Sequence, residues 1–282
     1  MRKFGKIAII GVGLIGGSIG LAVKSKRLAS KVVGIGHRQS SINRALKLKA
    51  IDIGTLDPRE GVKGADIVIL AMPILSMLGM VKKITPHLKD GAILTDVGST
   101  KGVLTREIDN AIPKRVRFVG AHPMAGSEKR GVDQARRDLF CGSLCILTKA
   151  GSANAKSLNI IKGLWRKMGA EVVVLSPERH DRVVAEISHL PHMLVFSMLS
   201  GIDLGSLKFA SSGFCDTTRI AASDPKIWRD ITITNSGEII RSISGFKKEL
   251  SSLEKAIRQR DGAALLRIFK LAKARRERLR GL

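Results

Sequence analysis

An α/β fold, built as a doubly wound parallel sheet followed by an all-helical domain, is what this 282-residue chain predicts. Three observations carry that expectation. Short apolar runs alternate with helical stretches through the first 176 residues, a glycine-rich turn joins the first run to the first helix, and after Pro177 only helical spacing remains. The domains are expected at 1–176 and 177–282, with the boundary near Ser176.

Residues 6–10 form a short apolar strand, and Gly11-Val12-Gly13-Leu14-Ile15-Gly16 follows it at the mouth of a helix that continues from 18 to 26. Strand, GxGxxG turn and helix in that order read as a dinucleotide site. Gly11 permits the tight turn, Gly13 lets a pyrophosphate approach, Gly16 packs helix on strand, and Leu14 and Ile15 open the helix whose unpaired amides face the anion. A second strand, 31–35, ends where a NAD-selective site places a carboxylate on the ribose diol. The chain instead reads Gly36-His37-Arg38-Gln39-Ser40-Ser41. No acid repels a 2′-phosphate there, and Arg38 with the Ser40 and Ser41 hydroxyls can bind one, with His37 also on the cofactor side, so NADP is the expected cofactor and NAD the second choice. The alternative is that Ser40 or Ser41 only caps the next helix, 42–49.

The alternation continues with an apolar strand at 65–71 ending in Met72-Pro73 and a helix at 75–88. A strand at 91–97 leads to Gly98-Ser99-Thr100-Lys101 at the mouth of another helix, and a strand at 116–121 delivers His122. Strands at 143–148 and 171–175 flank a helix at 154–168. Near-continuous apolar strands imply a parallel sheet covered on both faces, and such sheets bind ligands at the carboxyl ends of their strands. Gly11, Pro73, Ser99 and His122 all follow strand ends and should share one rim, with Pro73 and Ser99 on its cofactor side. Beyond Pro177, residues 178–201 read as a helix that Pro191 should bend, and helices at 235–258 and 262–280 close the chain.

Composition narrows the function classes. The net charge of +25 favours anionic partners, including phosphorylated cofactors and acidic substrates. The dense basic run from 270 to 280 reads as a solvated helix face rather than a nucleic-acid site. Three cysteines, Cys141, Cys145 and Cys215, offer no paired framework and suggest a reducing compartment. The basic N-terminus with its apolar run resembles a secretory signal, but five glycines interrupt the run and no other stretch approaches a membrane span in apolar length. A soluble cytoplasmic protein is expected, with no membrane and no nucleic-acid partner.

The candidate chemistry centres on Val119 to Gly131, VGAHPMAGSEKRG, where a rigid strand hands His122 to a loop broken by Pro123, Gly126 and Gly131. An imidazole with an ordinary pKa near 6.5 is a suitable proton acceptor at neutral pH. In the helical region His189 and His192 lie three apart on one face, yet with no acidic or thiol third ligand in view no metal is expected.

Five stretches in order carry a resemblance: GVGLIGGS at Gly11, DVGSTKG at Asp96, GAHPMAGSEKRG at Gly120, SHLPH at Ser188 and GFCDTTRIAASDPKIWRDI at Gly213. Over essentially its whole length the chain resembles the prephenate/arogenate dehydrogenase family of tyrosine biosynthesis. The resemblance implies a Rossmann-type domain followed by a helical domain that forms a homodimer, and oxidative decarboxylation of prephenate or arogenate with NAD(P). It implies His122 as base for the substrate hydroxyl, with Ser99 holding that hydroxyl or orienting His122. It implies Arg219 as the grip on a substrate carboxylate, His192 and more weakly His189 as substrate contacts, and Glu128 at a further substrate position. A fused mutase or C-terminal regulatory domain is not expected in a chain of this length, so tyrosine feedback would act at the active site. The alternatives are an arogenate-specific enzyme, a β-hydroxyacid-type dehydrogenase, and a non-enzymatic binder of NADPH or nucleic acid.

Overall fold

A computed structural model describes residues 3–126 and 131–279. One sheet of eight strands runs in the order β3-β2-β1-β4-β5-β6-β7-β8. The strands are β1 (Phe4–Ile10), β2 (Ala29–Ile35), β3 (Ile53–Thr55), β4 (Ile67–Leu70), β5 (Ile93–Asp96), β6 (Arg117–Pro123), β7 (Leu144–Lys149) and β8 (Glu171–Leu175). The helices in its midst are α1 (Leu14–Ser25), α2 (Gln39–Lys47), α3 (Pro58–Val62), α4 (Ile74–Ile84), α5 (Gly102–Ala111) and α6 (Ala155–Lys167). Then follow α7 (Pro177–Val184), α8 (Leu190–Gly201), α9 (Ser212–Thr218), α10 (Pro225–Thr234), α11 (Ser236–Arg258) and α12 (Gly262–Arg278).

The expected doubly wound sheet is present with one amendment. Six strands are parallel, but β7 pairs antiparallel with β6, with His122 opposite Ile146, and β8 continues parallel to β7. No local pattern announces the reversal, because a strand buried on both faces looks equally apolar in either direction. β3 also went unread: three residues, Ile-Gly-Thr, are too few to show a period.

Alternation along β1 shows how the layers form. Ile7 and Ile9 point into one core with Ile19 and Val23 of α1, Ile42 of α2, and Ile161 and Trp165 of α6. Ala8 and Ile10 point into the other, with Val62 of α3, Met77 and Val81 of α4, and Leu104 and Ile108 of α5. Trp228 and Ile231 of α10 belong to that second core. By its contacts the chain therefore divides after Ser236, into compact units Met1–Ser236 and Gly237–Leu282, although the last strand ends at Leu175. In the second unit Asp261 caps α12 by accepting from Ala264 N at 2.9 Å, and Ile240, Ile257, Leu266 and Phe269 are exposed.

Pro191 does not end its helix. It lacks the N–H that an α-helix would give to the Ile187 carbonyl, and a π turn at Ala185–His189 carries the chain from α7 into α8. The stretch Pro177–Gly201 is also long and apolar enough to cross a membrane, with a mean hydropathy of 1.3, which corrects the expectation that no such stretch exists. It carries buried His180, Asp181 and His189, and Ser188 and His192 on it line a cavity.

Candidate active site

The strand order changes direction between β1 and β4, and the crevice beyond their carboxyl ends is where such sheets bind ligands. A cleft of about 640 Å³ opens there, within the size range of small-molecule sites. It reaches from Gly13 and Leu14 past Pro73 and Ser99 to His122, and is closed by Ser188, His192, Arg219 and Trp228. Four separate strand ends thus meet on one rim, as their sequence positions required.

The three glycines have different surroundings. Gly11 has φ +100°, and a Cβ there would lie 2.1 Å from the Ala71 carbonyl oxygen. A Cβ on Gly16 would lie 1.9 Å from the Gly11 oxygen, so this residue sets the packing of α1 on the turn. A Cβ on Gly13 would meet nothing within 4 Å: the space before the α1 N-terminus is open, and no acidic residue stands in its first turn. Open space, unpaired amides and absent negative charge fit a pyrophosphate. Gly13, Leu14 and Ile15 line the cleft, whereas Gly11 and Gly16 stand behind it.

His37, Arg38 and Ser40 are exposed and lie outside the cleft lining. They follow the end of β2, which Gly11 N ties to the glycine turn by donating to the Ile35 oxygen at 2.8 Å. The helix begins earlier than expected, at Gln39, and its N-cap is Arg38, which makes no side-chain cap bond. Ser40 therefore sits in the first turn rather than capping it.

His122 occupies the penultimate position of β6, nearly buried, on the cleft wall. Its Nδ1 is 2.8 Å from His180 Nε2, and His180 Nδ1 is 2.7 Å from Asp181 Oδ1. Asp181 also accepts from Lys101 N and Gly102 N, both at 2.7 Å, and so holds the start of α5. A carboxylate so surrounded by donors takes the His180 proton on Nδ1. His180 Nε2 is then an acceptor, His122 donates from Nδ1, and His122 Nε2 is left as an acceptor. Burial, and after it the neighbouring His180 and Lys101, hold His122 well below its ordinary pKa, so the ring is neutral at neutral pH.

A second buried network fixes the neighbouring strand ends. Lys101 and Asp96 are fully buried and paired at 2.7 Å, and Lys101 Nζ donates also to the Gly98 oxygen at 2.6 Å. Asp96 accepts from Ala121 N on β6 and from Gly98 N, which ties the loop carrying Ser99 to the strand carrying His122. Ser99 lines the cleft as expected, but the group that orients His122 is His180.

On the opposite wall His192 stacks on Trp228, with centroids 3.6 Å apart and planes 24° from parallel. Its Nδ1 donates to the Ser188 oxygen at 2.8 Å, which turns Nε2 outward as an acceptor. Burial lowers its pKa, with Arg219 adding to the effect against the Ser188 bond. Arg219 lines the same cleft, at the start of a 3-10 turn. His189 is not there. It is 1% exposed, accepts from Asn235 Nδ2 at 3.2 Å and meets Trp228 edge-on, because the π turn sends it into the core. Glu128 lies outside the described residues.

Sequence reasoning missed His180, Asp181, Lys101 and Trp228. The one available signal was His180-Asp181 within the first turns of a helix; nothing in the chain joins it to His122, 58 residues away.

The chain matches two family models: the prephenate dehydrogenase nucleotide-binding domain over residues 19–174 and the prephenate dehydrogenase dimerization domain over 176–271. It is 37% identical over 280 residues to a prephenate dehydrogenase of Bacillus subtilis (strain 168), covering 97% of this chain and 76% of that one. It is 33% identical over 277 residues to a cyclohexadienyl dehydrogenase of Zymomonas mobilis, covering 96% and 94%. The structure of prephenate dehydrogenase from A. aeolicus in complex with hydroxyphenyl propionate and NAD+ superposes with a TM-score of 0.92 at 34% identity, covering 99% of both chains.

Proposed function

The chain belongs to the prephenate dehydrogenase family, an oxidoreductase family, and from that premise we propose that it oxidises and decarboxylates prephenate, with arogenate as the second substrate. The observation that carries the reading is His122 Nε2, an acceptor left facing a cleft that begins at the glycine turn.

Prephenate is a cyclohexadienol bearing a ring carboxylate and a pyruvyl side chain. A nicotinamide dinucleotide bound at Gly13 supplies the hydride acceptor. His122 takes the hydroxyl proton as hydride departs from the carbinol carbon, and loss of the ring carboxylate as carbon dioxide leaves an aromatic phenolate, to which His122 can return the proton. Aromatisation drives the sequence, so the residues mainly position the ring and accept one proton. Such a base contributes on the order of 100- to 10,000-fold in rate. Neutral His122 is already competent at neutral pH. Ser99 meets the same hydroxyl, Arg219 grips a carboxylate with two parallel hydrogen bonds, and the His192–Trp228 stack forms the wall against which the ring lies.

The cofactor is NAD(P). The absence of an acid at Gly36, with exposed Arg38 and Ser40 beside it, favours NADP. The functional parts are 1–176, which holds the cofactor, and 177–282, which covers the substrate and pairs two copies into a homodimer, acting in the cytoplasm. Initial rates of nicotinamide reduction, with prephenate and arogenate each offered with NAD and NADP, test the reading. Turnover of prephenate with NADP is expected; folded protein silent in all four mixtures would sink it.

A further inference from the structure

The glycine turn reads GVGLIGGS, and the dinucleotide accounts for its first three glycines but not for Gly17 and Ser18. Both are buried, on the side of α1 away from the cleft lining. Ser18 Oγ accepts from Arg136 N at 2.9 Å. A Cβ on Gly17 would lie 2.9 Å from Val132 Cγ2 and 3.0 Å from Ala135 Cβ, so side chains of the returning segment occupy that place. Arg44 of α2 adds an ion pair to Asp133. Val132 is 4% exposed and belongs to the core that α1 shares.

The segment anchored in this way is the one that returns from the His122 loop. Met124, Ala125 and Gly126 line the cleft after His122, and so does Gly131, with φ +86°, immediately before Val132. Both flanks lie beside one helix: Ile15 of α1 stands 4.0 Å from where a Cβ on Gly126 would be, and Val132–Arg136 docks on Gly17 and Ser18. Helix propensity by itself would put alanine at position 17. A glycine there makes sense only for the neighbour it admits.

We infer that Gly17 and Ser18 are positioning residues for the substrate side of the site: they dock Val132–Arg136 on α1 and thereby fix Gly131 and the cleft wall that follows His122. The helix whose N-terminus faces the cofactor also sets the wall that faces the substrate. This rests on the function proposed above.

Ser18→Ala and Gly17→Ala test it, each measured by steady-state kinetics, by dinucleotide titration without substrate, and by amide exchange over residues 131–136. Losing one buried hydrogen-bond acceptor corresponds to a change on the order of tenfold. Both variants should raise the substrate KM by about that factor, lower kcat much less, speed exchange at 131–136, and leave dinucleotide Kd unmoved. Val132→Ala added to G17A removes the nearer of the two methyls that the new Cβ would strike, leaving Ala135 Cβ at 3.0 Å, and should bring KM part of the way back; V132A alone should not lower it. An unmoved substrate KM, a dinucleotide Kd that weakens with it, or a double variant without recovery would overturn the inference. These results are read against wild-type turnover. Wild type without turnover would sink the function and the positioning role together, whereas active wild type with unmoved variants would sink only the positioning role.

Discussion

Asp181→Asn changes one oxygen into an NH2 group and sets three donors against a side chain that can no longer accept from all of them. In the native site Oδ1 accepts from Lys101 N and His180 Nδ1, and Oδ2 accepts from Gly102 N. If the amide nitrogen replaces Oδ2, it faces the Gly102 N–H and a buried donor is orphaned, which costs about 1–3 kcal/mol of stability. If it replaces Oδ1, it donates to His180 and forces the proton of that ring onto Nε2, and His122 then carries its own proton toward the cleft. The first placement leaves His122 Nε2 an acceptor and costs stability alone, whereas the second removes that acceptor while the cleft keeps its shape. The second placement predicts a loss of kcat on the order of 100- to 10,000-fold, the range for removing a general base, and the first predicts kcat near wild type with a lowered Tm. Dinucleotide Kd should hold, and Tm should fall by a few degrees. Raising the pH should not restore the rate, because a misplaced proton, not an unwanted charge, causes the loss. Stopped-flow or steady-state kinetics across pH, with dinucleotide titration on the same protein, measure this. A variant with both kcat and Tm near wild type, or one whose lost rate is rescued at high pH, would refute the relay from Asp181 through His180 to His122.

Other outcomes follow from single distances. Gly13→Ala should fold normally and lose dinucleotide affinity, because its Cβ enters open space, whereas Gly16→Ala should lose Tm first, its Cβ falling 1.9 Å from the Gly11 oxygen; melting and titration of the two separate the roles. Gly36→Asp should shift preference toward NAD, with Ile42 Cδ1, 3.0 Å from the new Cβ, having to yield; an unchanged NADP/NAD ratio of kcat/KM would show that the β2 end does not meet the ribose. Arg219→Ala should raise substrate KM more than it lowers kcat, by about ten- to a hundredfold for a lost charge-assisted bond, and the reverse split would reassign it. His189 is held to a pKa of about 4, chiefly by burial. The unfolded chain, with a His pKa of about 6.5, binds more protons in that window, so stability is full above it and falls as pH drops toward 4, by roughly 3 kcal/mol from this residue; a Tm flat between pH 7 and pH 4.5 would contradict it.

Much of this was legible in the chain. The GxGxxG turn, the alternation of apolar strands with helices and the His122 loop are local patterns, and each is imposed by neighbours within a few residues. Because parallel strands align their carboxyl ends, those patterns also put Gly11, Pro73, Ser99 and His122 at one rim; Pro73, Ser99 and His122 line the cleft, and Gly13 lines it in place of Gly11. The antiparallel turn of β7, the burial of His189 and the tie between Ser99 and His122 through Asp96 were not legible. A residue between two helical faces can point to either, and only the π turn before Pro191 decides that His192 meets the cleft while His189 meets Asn235.

The sequence by itself determined that a dinucleotide-type turn and a histidine would be brought to the ends of a parallel sheet, since strand and helix periodicity need no distant partner, while Arg219 was implied only by the family resemblance. Only the tertiary structure decided how that histidine is held: His122, His180 and Asp181 come from a strand and a helix that touch because α7 packs beside β7 and α5. A proton's place on an imidazole is set by the partner of its other nitrogen, and that partner is chosen by packing across 58 residues, which no local pattern encodes.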